Sequence, residues 1–245
     1  MKYLAAMIFT LLLLSSSSAV FSQEVEKNLI TSGGRTRVYY LFVPKTVKAS
    51  APLILLLHGS GRNGSIMVDK WKDLAKKEGI ILAGPDSANS QLWNIPVDGP
   101  DFLHDIVEEL KGKYAINQRR IYLFGHSAGA SYALRLSLLE SEYFAATAIH
   151  AGALNPDAYS LIKFARRKTP IAIWVGTVDQ AFPLQVVRAT RDALNGQGFA
   201  VELTEMANHD HWYYDLAPKI NRSAWEFLQK HELGADQKYE QYDVN

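Results

Sequence analysis

The sequence predicts an α/β fold in which a mostly parallel central sheet is flanked by helices on both faces. Three observations carry that expectation. Residues 53–57, reading LILLL, form a continuous apolar run of the kind buried on both faces of a parallel sheet. Short apolar runs then alternate with longer amphipathic ones to the end of the chain, which is the rhythm of repeated βα units. The 245 residues are 48% hydrophobic and 21% charged, which suits one domain large enough to bury a sizeable core.

Taken in order, residues 1–22 read as a signal peptide. Lys2 gives the positive start, residues 4–14 are apolar but short for a bilayer span, and the serines at 15–18 lead to small residues at Ala19 and Ser22. Cleavage is expected near Ser22 and Gln23. The chain is therefore expected to be secreted or periplasmic, with no stable membrane anchor once the leader is removed. Residues 23–233 are expected to form one domain and 234–245 a polar, frayed tail.

Within the domain, residues 36–43 alternate polar with apolar side chains and stop at Pro44, which predicts an edge or antiparallel strand. The central run at 53–57 follows. Helices are expected at 71–77, 102–113, 128–139, 159–166, 184–194 and 218–230, and further strands at 80–83, 121–124, 145–149, 171–175 and 201–205. No internal repeat, low-complexity linker or stretch long enough for a separate lid interrupts this order.

Composition removes several function classes. A formal net charge of +1 gives no global attraction to nucleic acid or anionic membrane. The absence of cysteine excludes disulfides, thiolate metal sites and a lipidated cysteine. There is no HExxH, GxxxxGK[ST] or GxGxxG pattern, so neither a metal nor a phosphate-bearing cofactor is expected.

The strongest local signal is Gly125-His126-Ser127-Ala128-Gly129, a GxSxG match between the apolar strand IYLF and a helical stretch. That strand–turn–helix setting is what a nucleophile elbow requires, with glycines where a Cβ would collide with neighbouring backbone. A serine hydroxyl is a poor nucleophile at neutral pH and needs a histidine base held by an acid. Asp179, in GTVDQAFPL after the strand IAIWV, is the expected acid, because carboxyl ends of strands carry the ligands and catalytic groups of open α/β sheets. His209 and His211 both follow the last expected strand, and position alone leaves both open as the base. The oxyanion hole is expected from the N–H of Ala128 and an N–H of the glycine-rich loop 58–64, with Ser60 as the second donor.

The ordered set LLLHGSG, RIYLFGHSAGA, WVGTVDQAFPL and NHDHWYY resembles secreted esterases of the polyhydroxybutyrate-depolymerase and feruloyl-esterase branch of the α/β-hydrolases, over nearly the whole mature chain. The DHWYY run also resembles the DHSYY run around the catalytic histidine of esterase D and S-formylglutathione hydrolases, and this favours His211 over His209 as base. The chain departs from that pattern at Asn208 and His209, where many such relatives carry glycines, and in having no cysteines. The resemblance implies an α/β-hydrolase fold and acyl-enzyme chemistry on Ser127 without a metal or cofactor. Its substrate would be a small-molecule or polymer-linked ester. Phe182, Trp212 and Trp93, with Tyr213, are the aromatics placed to line its site, while Trp71, Trp174 and Trp225 fall in core elements. The absence of a lid favours short-chain, aryl or sugar-linked esters. Acyl transfer to an alcohol and peptide hydrolysis use the same side chains, and a binding protein on this scaffold would not need them.

Overall fold

A computed structural model describes residues 24–240. The expected signal peptide lies outside the described residues. An eight-stranded sheet is made of β1 (Glu26–Ser32), β2 (Arg35–Phe42), β3 (Ala51–Leu57), β4 (Ile81–Pro85), β5 (Ile116–His126), β6 (Ala146–His150), β7 (Ile171–Gly176) and β8 (Val201–Met206). Helices α1 (Gly64–Glu78), α2 (Pro100–Lys113), α3 (Ala128–Leu139), α4 (Leu184–Asn195) and α5 (Ala217–Leu228) connect them, with a 3₁₀ segment at Pro156–Phe164.

The strand order is β1-β2-β4-β3-β5-β6-β7-β8, antiparallel from β1 through β4 and parallel from there on. This is the α/β-hydrolase fold. The chain leaves β3 toward β4 on one side and returns to β5 on the other. The carboxyl ends of β3 and β5 therefore flank a topological switch point, where the two connections diverge and leave a crevice.

Burial explains why these elements hold together. All seven residues of β3 are buried, because helices cover both faces of the sheet there. Phe102, Leu103 and Ile106 of α2, Leu134 and Leu138 of α3 and Val187 and Leu194 of α4 fill one face. Trp71 of α1 and Ile220, Trp225 and Phe227 of α5 fill the other. The three tryptophans expected in the core, Trp71, Trp174 and Trp225, are buried.

Several elements differ from the sequence reading. Helix α1 starts at Gly64, seven residues before the expected 71, because the Asn63 side chain caps it by accepting the Ile66 N–H at 3.1 Å. The expected helix at 159–166 is the 3₁₀ segment. Strand β1 was not anticipated, and it pairs only with β2 at the sheet edge. The expected tail touches the domain: the Lys238 N–H donates to the Glu142 carbonyl, and Tyr239 stacks on His104.

Candidate active site

Strand β5 ends at His126, and α3 starts at Ala128, so Ser127 occupies the whole turn between them. Its backbone sits at φ 57°, ψ −121°, a conformation costly for any residue with a Cβ, on the order of 1–3 kcal/mol. The turn closes this tightly because its neighbours are glycines. A Cβ on Gly125 would lie 2.3 Å from the Gly129 carbonyl oxygen, and one on Gly129 would lie 2.2 Å from that of Leu57. The serine N–H donates to the His150 carbonyl at 3.1 Å, and its carbonyl accepts the N–H groups of Ala130 and Ser131. Backbone strain at Ser127 is thus held by β6 on one side and α3 on the other.

Two loops at the same end of the sheet meet this hydroxyl. His211 Nε2 lies 2.9 Å from Ser127 Oγ, and His211 Nδ1 lies 2.9 Å from Asp179 Oδ2. The Asp179 side chain is fully buried, and its other oxygen accepts the N–H groups of Ala181 and Phe182, each at 2.9 Å. With both oxygens engaged, the carboxylate cannot rotate away from the imidazole. His209 points elsewhere: its Nε2 is 3.1 Å from His150 Nε2. Asn208, one of the departures from the glycine pattern, has φ 56°, a left-handed conformation that asparagine tolerates better than most residues.

Behind the serine a chain of histidines leads to His209 through two, His126 and His150, to which the sequence assigned no role. His126 Nδ1 lies 3.1 Å from His150 Nδ1, and the chain runs on to His209. Burial, reinforced by neighbouring imidazoles, lowers His126 to about 3 and His150 to about 2, so both are neutral near pH 7. Two neutral rings can hydrogen-bond in series without placing charge beside Ser127. The signal for them was present, since His126 is the second residue of GHSAG and His150 ends a strand.

The loop after β3 faces the elbow, with a Cβ on Gly59 falling 3.2 Å from that of Ser127. Residues 59–62 form a β-turn in which the Arg62 N–H donates to the Gly59 carbonyl at 3.1 Å. Gly61 occupies its third position at φ 71°, as a type II turn demands. Ser60 lies in this turn, and Ala128 opens α3, where the first N–H groups have no partner within the helix. Among the described residues neither N–H makes a hydrogen bond.

His58 fixes the loop from below. Its Nε2 accepts the Ser87 N–H at 3.1 Å, so Nδ1 carries the proton and donates to the Gly59 carbonyl at 2.9 Å. Burial holds the ring neutral. Trp93 stacks on Tyr132 and donates its Nε1–H to the His58 carbonyl at 2.9 Å. The loop that carries Trp93 is in turn built around buried Asp98, which pairs with Arg37 at 2.6 Å and accepts the Ala88 and Asn94 N–H groups. Asp98 gave no sequence signal, because nothing in the segment between β4 and α2 marks it out from Asp86.

Of the other aromatics, Phe182 stacks on the His211 ring at 5.8 Å and Trp212 is 42% exposed beside it. Tyr213 is a correction: it is fully buried, its hydroxyl donates to Asn221 Oδ1, and it belongs to the core.

The sequence model of the phospholipase/carboxylesterase family matches residues 100–231, which hold Ser127, Asp179 and His211. The chain belongs to that family. Among curated proteins, this carboxylesterase-family chain is 27% identical over 158 residues to a bifunctional acetylxylan esterase/xylanase of Neocallimastix patriciarum. That match covers 63% of the chain but only 23% of the relative's length. Among solved structures it resembles an S-formylglutathione hydrolase from Agrobacterium tumefaciens at TM-score 0.68 and 17% identity, covering 86% of this chain and 95% of that one. It also resembles a ferulic acid esterase at TM-score 0.67 and 14% identity, covering 84% and 98%. At these identities the structural likeness concerns the fold.

Proposed function

We propose that the protein is a secreted serine esterase that hydrolyses short-chain, aryl or sugar-linked carboxylic esters through an acyl-enzyme on Ser127. The observation that carries this is the unbroken Ser127–His211–Asp179 contact, at 2.9 Å and 2.9 Å, on a strained turn.

Each step uses a group already in place. Ser127 Oγ attacks the ester carbonyl carbon while its proton passes to His211 Nε2, and buried Asp179 stabilises the imidazolium that forms. The tetrahedral oxyanion takes hydrogen bonds from the Ala128 and Ser60 N–H groups, with the positive end of α3 behind it. The carbon–oxygen bond to the alcohol breaks as His211 returns the proton to the leaving oxygen. Water then attacks the acyl-enzyme with His211 again as base, releasing the acid and regenerating Ser127.

Phe182, stacked on His211, and exposed Trp212 offer apolar surface near the site, and Trp93 supports the proposed oxyanion loop. Among the described residues each parallel strand after β5 is followed by one helix or 3₁₀ segment, with no added lid, and this supports an open site for compact esters. The ester-cleaving relatives support the class, and the leader-like residues 1–22 support export.

The test is turnover of 4-nitrophenyl acetate, butyrate and octanoate and of methyl ferulate by the mature protein and its Ser127→Ala variant. Turnover of at least one ester, with a loss of about a thousandfold in the variant, is expected. Equal inactivity of both proteins would remove the esterase assignment. Activity that rises well beyond butyrate would remove the short-chain preference.

A further inference from the structure

Arg62 lies on the same turn as the proposed oxyanion donor Ser60. Its guanidinium carbon is 5.3 Å from the Trp212 ring centre and 5.4 Å from that of Tyr214, and these two rings meet edge to face. The turn fixes its backbone through the Arg62 N–H to Gly59 bond and through the Gly61 N–H, which donates to the Ser90 carbonyl at 2.7 Å. A planar cation laid over aromatic faces loses little freedom when it binds an anion, because its orientation is already set.

The charge of Arg62 is also unspent. Arg37, Arg135 and Arg188 each pair with a carboxylate, whereas among the described residues no carboxylate lies within ion-pair distance of Arg62. The nearby Asp210 is turned to the protein backbone, accepting the Trp212 N–H at 2.8 Å. A second polar group at this place is unsatisfied as well: the Tyr214 hydroxyl is buried and has no hydrogen-bond partner among the described residues. The cluster adjoins the nucleophile, since the Tyr214 ring stands edge-on to His126 at 5.7 Å and Ser127 is the next residue.

The geometry points to Arg62, with Trp212, as an anion subsite that selects esters whose alcohol portion carries a carboxylate. The subsite is assigned to the alcohol side because Trp212 stands on the loop of His211, the group that must protonate the leaving oxygen. Trp212 would stack on the ring or chain of that alcohol while Arg62 pairs with its carboxylate. This inference rests on the esterase assignment above.

The test compares 3-acetoxybenzoate with its neutral counterpart 3-acetoxybenzamide, which share the acyl group and the shape of the leaving group. The kcat/KM ratio of acid to amide is expected to fall at least about fivefold in Arg62→Ala, and less in Arg62→Lys, which keeps the charge but not the planar fork. Raising the salt concentration to about 0.5 M should lower the ratio in the wild type and leave it unmoved in Arg62→Ala. Comparing ratios within each protein cancels any general damage to the site. If both esters are cleaved and the ratio is the same in wild type and Arg62→Ala, the subsite is refuted while the esterase assignment stands. If the wild type cleaves neither these esters nor 4-nitrophenyl acetate, the esterase assignment fails and the subsite with it.

Discussion

Two histidines two residues apart have opposite surroundings, and that contrast gives the first prediction. His211 joins Ser127 to Asp179, while His209 joins the buried ring of His150. His211→Ala should lower kcat/KM for 4-nitrophenyl acetate by about a thousandfold or more, and His209→Ala by no more than about tenfold. The reverse order would make His209 the base. Residue spacing alone could not separate them, because both follow β8 and a loop can present either side chain. The similarity of DHWYY to known histidine loops favoured the one that meets the serine. Ser127 and Asp179 stood out in the sequence because their proposed roles depend on local motif and strand ends. Asp98 did not, because its importance comes from bonds to Arg37, Ala88 and Asn94, which only the folded chain brings together.

At the scale of elements, apolar periodicity located the strands and helices that have a buried side. The strands expected at 53–57 and 171–175 match β3 and β7, which are buried throughout. Strand β1, EKNLITS, has a mostly exposed pattern and owes its place to backbone pairing with β2 rather than to its own side chains, so periodicity missed it. The 3₁₀ segment buries only Ala158 and Ile162, too little for periodicity to tell it from an α-helix. The proposed oxyanion loop is positioned between elements by the Asp98–Arg37 pair and Trp93. Asp98→Ala would leave the Arg37 charge buried and two backbone N–H groups unpaired. It is expected to destabilise the protein by about 3–5 kcal/mol in urea unfolding. An unchanged midpoint would show that the loop is held by other contacts. Gly125→Ala should lower both the melting temperature and kcat, since its Cβ has no room beside Gly129.

Across the whole molecule, buried titratable groups set a window of pH stability. His126 and His150 ionise near 6.5 when exposed but are lowered to about 3 and about 2 in the fold by burial. Below pH 6.5 the unfolded chain takes up protons that the native state refuses. The stability present above pH 6.5 is therefore lost as the pH falls toward 3. Glu140 acts in the opposite direction. Burial raises it from 4.5 to about 8, so the native state keeps a proton that the unfolded chain releases above pH 4.5, and stability is lost as the pH rises from there toward 8. Glu140→Gln should therefore raise the urea midpoint at pH 8.5 and change it little at pH 4. A midpoint shift of the same size at both pH values would contradict a protonated native Glu140. The sheet and its two helical layers were readable from composition and alternation. These buried polar groups were not, because a histidine or glutamate in a sequence carries no mark of the burial that shifts it.

An activated Ser127 reacts covalently with a fluorophosphonate, which intact and peptide mass spectrometry reads after brief exposure. Activation by His211 predicts a single adduct on Ser127 in the wild type, none in Ser127→Ala, and slow labelling in His211→Ala. An unlabelled wild-type protein, or an adduct that persists in Ser127→Ala, would contradict it.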